Sequence, residues 1–323
     1  WNHGNPAIST PFYTWKETKT YPWATREERE ASTYQHWQDN GNPNTQPSSN
    51  NHALNGNEYR PVDYSKKSYM NVIDFPMHWN FKNANDAFNV AVGNDYTYAD
   101  ATWNVMYVDS HDYAPDGAPE GQRFAEPQDV WAENLSLMFS FRGIPVIYYG
   151  TEIEFQKGKV IDVGPNAPLS TTGRAYFGDH IEGSLTVTDF GKYKNALGEV
   201  ATTLNHPLAK HIRNLNLIRR AVPALQKGQY STSNISGGLA FKRRYTDNTT
   251  DSFALITISN GATFNNIPNG TYVDVVTGDT KVVTNGSLSV SVANKGNLRV
   301  YVLSTTKTPA PGRIAETGLT YIK

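Results

Sequence analysis

Two stretches decide the reading: Tyr107-Val108-Asp109-Ser110-His111-Asp112, and Arg142-Gly143-Ile144-Pro145-Val146-Ile147-Tyr148-Tyr149-Gly150-Thr151-Glu152. The first ends a short apolar strand, 103–108, in a run of polar groups. The second is an almost uninterrupted apolar strand, 144–149, of the kind covered on both faces. Between them lies a helix at 126–142, with Trp131, Leu135, Met138 and Phe141 at i, i+4, i+7 and i+10 on one face. Gly143 stops it, as glycine often does at a helix end. Strand, helix, strand predicts a parallel unit, and polar residues at the C-terminal ends of such strands are where α/β barrels carry their chemistry.

Working outward, a further strand (68–74) and a short helix (83–92) precede this unit. A Gly- and Pro-containing excursion (157–189) and a helix at 207–222 follow it. Leu208, Ile212, Leu215, Ile218 and Val222 share one face of that helix. Beyond Gly228 the pattern changes to short strands only: 239–245, 253–259, 272–276, 281–283, 288–292 and 298–303. Asn260-Gly261, Asn269-Gly270, Gly278-Asp279 and Asn285-Gly286 supply the turns. This predicts an antiparallel sandwich whose local turns and alternation would let it fold alone. Lys242-Arg243-Arg244 reads there as a solvated charge run. The stretch 305–323 reads as a linker. Upstream, 1–67 is polar and aromatic, with a long surface loop at 40–57.

The composition narrows the function. The chain has 323 residues, 29 Lys and Arg against 30 Asp and Glu, and no Cys. There is no basic excess to suit nucleic acid, no apolar run near the roughly 20 residues needed to span a bilayer, and no disulfide or zinc–thiolate chemistry. Mean hydropathy is −0.56 with only 18% charged residues. The polarity therefore comes from Asn, Thr, Ser, Gly and Tyr, and Tyr and Trp together number 26. Hydroxyl and amide groups beside flat aromatic faces suit carbohydrate; long polar loops in a secreted protein would give the same composition.

The residues 109–112 admit several readings. Ser110, His111 and Asp112 cannot form a hydrolase triad, because adjacent side chains diverge along a strand. Asp109 and His111 share a face and could hold a metal. A capped polar strand end is the plainer reading. The second stretch adds the context. Val108, Asp109, His111 and Asp112, followed one helix later by Gly143, Pro145, Ile147, Tyr148, Tyr149, Gly150 and Glu152, resemble the α-amylase family of retaining glycoside hydrolases at its seventh and eighth barrel strands. Ser110 stands where that pattern has Asn. Asp74-Phe75-Pro76-Met77-His78-Trp79 is similar to the segment after the sixth strand.

The resemblance implies the C-terminal portion of a (β/α)8 TIM barrel (1–228), then an all-β antiparallel sandwich (229–304). It implies endo-hydrolysis of α-1,4-glucosidic bonds in a starch-like α-glucan. Transglycosylation, or a non-catalytic glucan-binding role, are the alternatives. Asp112 matches the third catalytic carboxylate and His111 its neighbouring substrate-binding His. Retention requires two more carboxylates, about 5–5.5 Å apart, and no segment like the family's nucleophile strand is found. Trp1 fits the residue shortly after the acid, so Trp1 and His3 are expected against the leaving-group sugar. A complementary N-terminal chain carrying strands one to five is the expected partner. Glu152, Asp162, Asp179 and Glu182 are weaker carboxylate candidates, 173–180 reads either as lining the outer cleft or as an ordinary Gly-hinged loop, and Trp15, Trp23, Tyr34 and Trp37 either form a stacking platform or pack in a core. Calcium is implied by the resemblance alone, and an extracellular setting by the polymer substrate together with the composition.

Overall fold

The computed structural model describes residues 72–95, 98, 101–112, 114–115, 121–161, 168–189 and 192–323, together with a small antiparallel pairing of β1 (Ala53–Leu54) with β2 (Asn57–Glu58). The stacking-platform aromatics, Trp1, His3 and Asp162 lie outside the described residues.

Three consecutive chain segments run parallel. Ile73 bridges Val105, and β3 (Val105–Met106) pairs with β4 (Ile144–Pro145). The connections are helical: α1 (Phe75–Trp79) and α2 (Ala84–Asn94) before β3, α3 (Gln128–Ser140) before β4. The strands are much shorter than their apolar runs. Val146 N donates to Met106 O at 2.8 Å, and beyond it the chains part to form the site. Nor is the apolar run covered on both faces, for Ile144 and Pro145 are only partly buried and Val146, just past β4, is 43% exposed.

The helices form where the sequence places them. Asn83 caps α2, its side chain accepting from Asp86 N at 2.9 Å. Ala84, Ala87, Phe88 and Ala91 turn one face inward. In α3 every residue from Val130 to Ser140 is buried, polar ones included, so it is a central helix rather than the one-faced helix its periodicity implied. Of its polar groups, Asn134 Nδ2 donates to Phe81 O and Ser140 Oγ to Ser136 O, both at 2.6 Å, while Asn134 Oδ1 and Trp131 Nε1 are buried with no partner among the described residues. At the end of α3, Gly143 takes φ +82°, and a Cβ there would stand 2.6 Å from Asn104 O, so only glycine lets the chain turn into β4.

After β4 the excursion contains an exposed hairpin, β5 (Ser184–Asp189) with β6 (Lys192–Leu197). Helices α4 (Glu199–Asn205), α5 (Pro207–Ala221) and α6 (Pro223–Lys227) follow. Prolines open α5 and α6, where a missing N–H costs nothing.

The remaining strands are β7 (Gln229–Ser231), β8 (Ile235–Thr246), β9 (Asp251–Asn265), β10 (Gly270–Asp274), β11 (Thr280–Val283), β12 (Ser287–Val290) and β13 (Leu298–Leu303). They hydrogen-bond in the order β11-β10-β13-β9-β8-β7, with β12 also on β9. The register of β8 on β9 shifts between Gly237 and Leu239, so both strands bend. The bend folds the sheet into two layers around Phe253, Leu255, Phe264, Tyr272, Leu288 and Leu303. Alternate residues, Phe241, Ile256, Ile258 and Val300, face the other way and share one core with α2, α3 and α5. An α/β barrel portion followed by an antiparallel sandwich is thus the observed class. Among the described residues no helix is long and apolar enough to cross a membrane.

Two expectations are corrected. The run Lys242-Arg243-Arg244 is buried, not solvated. Lys242 Nζ donates to Ser233 O (2.7 Å) and Asn265 O (3.0 Å). Arg243 donates to Ser140 O (2.9 Å) and Gly228 O (2.7 Å), and Arg244 to Asp251 Oδ1 (2.7 Å). Backbone carbonyls and one carboxylate replace water for three cations. Second, 305–323 packs as part of the core rather than as a linker. Ile322 is fully buried, with Ala315, Leu319 and Tyr321 nearly so. Glu316 pairs with Arg213, and Tyr321 Oη donates to Gln128 Oε1 at 3.2 Å.

Candidate glucan site at the parallel strand ends

From Tyr107 onward no strand among the described residues pairs with the chain after β3; side chains hold it. His78 Nδ1 donates to Tyr107 O at 2.9 Å. Asp109 turns inward and is 3% exposed. Its Oδ2 accepts from Arg123 Nε at 2.5 Å and its Oδ1 from Phe124 N at 3.1 Å. Burial raises the Asp109 carboxyl pKa, and the Arg123 charge and the Phe124 N–H oppose it. Both oxygens are engaged, so Asp109 is a structural anchor. The metal pairing of Asp109 with His111 is not formed, since the His111 side chain points out, 66% exposed.

His111 and Asp112, neighbours in sequence, also meet through their side chains. His111 Nε2 lies 3.3 Å from Asp112 Oδ1, and Asp112 is 53% exposed. The Asp112 N–H donates to Ser110 Oγ at 3.1 Å. Both side chains are therefore available to a ligand at the C-terminal ends of the parallel strands, where chemistry is built in this class of fold.

Three further groups complete the wall. Arg123 also donates to Tyr149 O (2.9 Å) and Gly173 O (3.1 Å), and its guanidinium stands 4.5 Å from the Tyr148 ring centroid. The Tyr148 ring lies 6.2 Å from that of His111. Burial, first, and the neighbouring Tyr149 push the Tyr148 phenol up to about 12. Arg174 donates twice to His111 O, from Nε at 2.9 Å and Nη2 at 2.6 Å, and its Nη2 stands 3.7 Å from Asp112 Oδ1.

The weaker carboxylates do not gather here. Asp179 and Glu182 stand exposed at the turn before β5. Glu152 is half-buried just after β4; burial raises its pKa, opposed by backbone N–H groups and by the charges of Arg123 and His180. The segment 173–180 does contribute, through Arg174 and through Phe177, whose ring packs 5.7 Å from Tyr149. Sequence reasoning missed the roles of Arg123 and Arg174. No local period relates either to Asp109–Asp112; their only signal is a cation in loops leaving the same strand ends.

No family model matches the chain. Over 242 residues it is 24% identical to a β/α-amylase of Paenibacillus polymyxa, an alignment that covers 69% of this chain and 17% of that protein. The chain thus spans about a sixth of the length of that curated relative. Among solved structures it is similar to AmyP in complex with maltose, with 15% identity, TM-score 0.49, and 77% of this chain and 53% of that one covered. It is also similar to an α-amylase from Malbranchea cinnamomea, with 17% identity, TM-score 0.48, and coverages of 76% and 48%. The resemblance to the α-amylase family is borne out by the curated relative.

Proposed function

We propose that this chain carries the Asp112 end of an α-amylase-type active site, acting on starch-like α-glucans with retention of configuration. The observation that supports it best is the exposed His111–Asp112 pair, 3.3 Å apart, at the ends of parallel strands. A carboxylate there accepts from two hydroxyls of a distorted sugar ring, and the imidazole donates to or accepts from a third. Such contacts accelerate cleavage to the extent that they strengthen as the ring flattens toward an oxocarbenium-like state. Asp112 is not the covalent nucleophile in this reading; the nucleophile and the acid stand on strands outside the described residues. A completing segment of the same enzyme, carrying those strands, would cover Val72, Ile73 and Val146, which are 39%, 42% and 43% exposed.

Hydrolysis within the polymer is the specific activity proposed, in an extracellular setting where such polymers are met. Calcium accompanies the resemblance. Among the described residues no group of three or more His, Asp or Glu side chains could hold a metal ion, so these residues do not fit such a site and no step is assigned to it.

The test is Asp112→Asn in the full-length enzyme. Loss of a group that acts mainly in the transition state lowers kcat on the order of 100-fold or more. A fluorinated mechanism-based glycoside should still label a different carboxylate. Labelling of Asp112 itself, or failure of the wild-type enzyme to cleave α-1,4-glucans, would overturn the assignment.

A further inference from the structure

The side chains of His111 and Asp112 are half or more exposed, and the last backbone hydrogen bond between β3 and β4 is made at Val146. Their direction therefore needs another support. Asp109 fixes the root of the turn through Arg123 and Phe124, but Asp109 lies two and three residues upstream. Within the turn itself the strongest restraint is the Arg174 fork on the main-chain carbonyl of His111, two charge-assisted hydrogen bonds at 2.9 and 2.6 Å. Arg174 is in turn held at its base. Its N–H donates to Thr172 Oγ1 at 3.1 Å, and the preceding Gly173 carbonyl accepts from Arg123 at 3.1 Å while Gly173 N donates to Val160 O at 2.9 Å.

We propose that Arg174 is a positioning residue: it acts through the His111 carbonyl to set where His111 and Asp112 point, coupling the 168–175 loop to the site. The fork is planar and rigid, so it fixes the orientation of the peptide group as well as its distance. A lysine would keep the charge near Asp112 but offer a single point donor. An ångström of drift in a transition-state contact costs on the order of 100-fold in rate, so the arrangement matters more to turnover than to ground-state binding. This inference rests on the glucan reading for its catalytic part only; the restraint on the turn is independent of any substrate.

The experiment uses R174A and R174K in the full-length protein, with two readouts. Amide hydrogen exchange over 109–112 should rise at least about 10-fold in R174A, with the buried helix at 128–140 unchanged as the control for folding, and added guanidinium ion should restore protection. With maltoheptaose as substrate, kcat should fall on the order of 100-fold in R174A while KM moves less than about 3-fold, and R174K should recover only part of kcat. Unchanged exchange at 109–112 in R174A would overturn the proposal, as would an effect on KM alone. Altered exchange in a protein whose wild type cleaves no glucan would support the restraint and refute the glucan reading, so the two failures are told apart.

Discussion

His211 should make this protein lose stability in mild acid. The imidazole is fully buried on α5, between α3 and the C-terminal segment. Its Nε2 donates to Ala132 O at 2.9 Å, with Ser136 Oγ at 3.1 Å, while Nδ1 is buried with no partner among the described residues. The ring is therefore the neutral tautomer, and a second proton would put a charge and an unsatisfied N–H in the core. Burial lowers the His211 pKa from 6.5 to about 4. The folded value is the depressed one, so the unfolded chain binds more protons between those limits. Stability from this residue is complete above pH 6.5 and falls as the pH drops, reaching its full loss just below pH 4. A difference of that size is worth about 3 kcal/mol, with a slope of at most about 1.4 kcal/mol per pH unit. The assay is urea unfolding at half-unit steps from pH 7 to pH 3.5, wild type against His211→Gln, which keeps a donor and cannot titrate. Wild type should lose about 3 kcal/mol more than the variant across that window. Parallel profiles, or an NMR titration of His211 with its midpoint above 6, would refute the reasoning.

Two other perturbations follow from the buried contacts. Arg142 is fully buried and bonds Asp74 Oδ2 at 2.6 Å and Asp95 at 2.6 and 2.9 Å, with Tyr230 Oη also on Asp95 at 2.7 Å. Arg142→Met strands two carboxylates and should cost about 3–5 kcal/mol, part of it recovered by Asp95→Asn in the same chain; calorimetry showing less than about 1 kcal/mol would sink this. Ile322→Ala should cost about 2–5 kcal/mol by thermal unfolding, as for a core residue, whereas a linker residue would change stability by less than about 0.5 kcal/mol.

The helices were the most legible part of the sequence, because Ala84, Ala87, Phe88 and Ala91, or Leu208, Leu215 and Ile218, repeat at helical spacing and carry caps or prolines at their ends. The sandwich was legible for the same local reason at three of its turns, Asn269-Gly270, Gly278-Asp279 and Asn285-Gly286, whereas Asn260-Gly261, expected as a turn, runs on inside the long strand β9. Asp112 and His111 were legible as a motif. What was hidden is whatever depends on a distant partner. Nothing around Arg142 at its helix end points to Asp74 and Asp95, which arrive from 68 and 47 residues away. Asp109 reads as either a capping residue or a metal ligand until Arg123 occupies it. Lys242, Arg243 and Arg244 read as a solvated run because charge alone predicts water, whereas their acceptors are backbone carbonyls and the Asp251 carboxylate, supplied by other segments. Thr, Pro and Gly made 305–323 look like a linker, although Leu319, Tyr321 and Ile322 were already its apolar anchors.

Arg243 has a consequence for how this chain can be cut and recombined. Its guanidinium ties β8 to the last turn of α3 through Ser140 O, and to the end of α6 through Gly228 O, while Arg219 takes the Phe139 and Gly143 carbonyls at 2.8 Å from the other side. Each cation sits on the negative end of α3's backbone dipole. The boundary near residue 228 is thus a change of secondary structure and not a seam in the packing. A graft of 229–304 onto another enzyme would carry a buried arginine stripped of its acceptors and a bare face of Phe241, Ile256, Ile258 and Val300. Recombination that respects this architecture keeps α3, α5 and the sheet together, and places its junctions in the exposed β5–β6 hairpin, where no core residue is crossed.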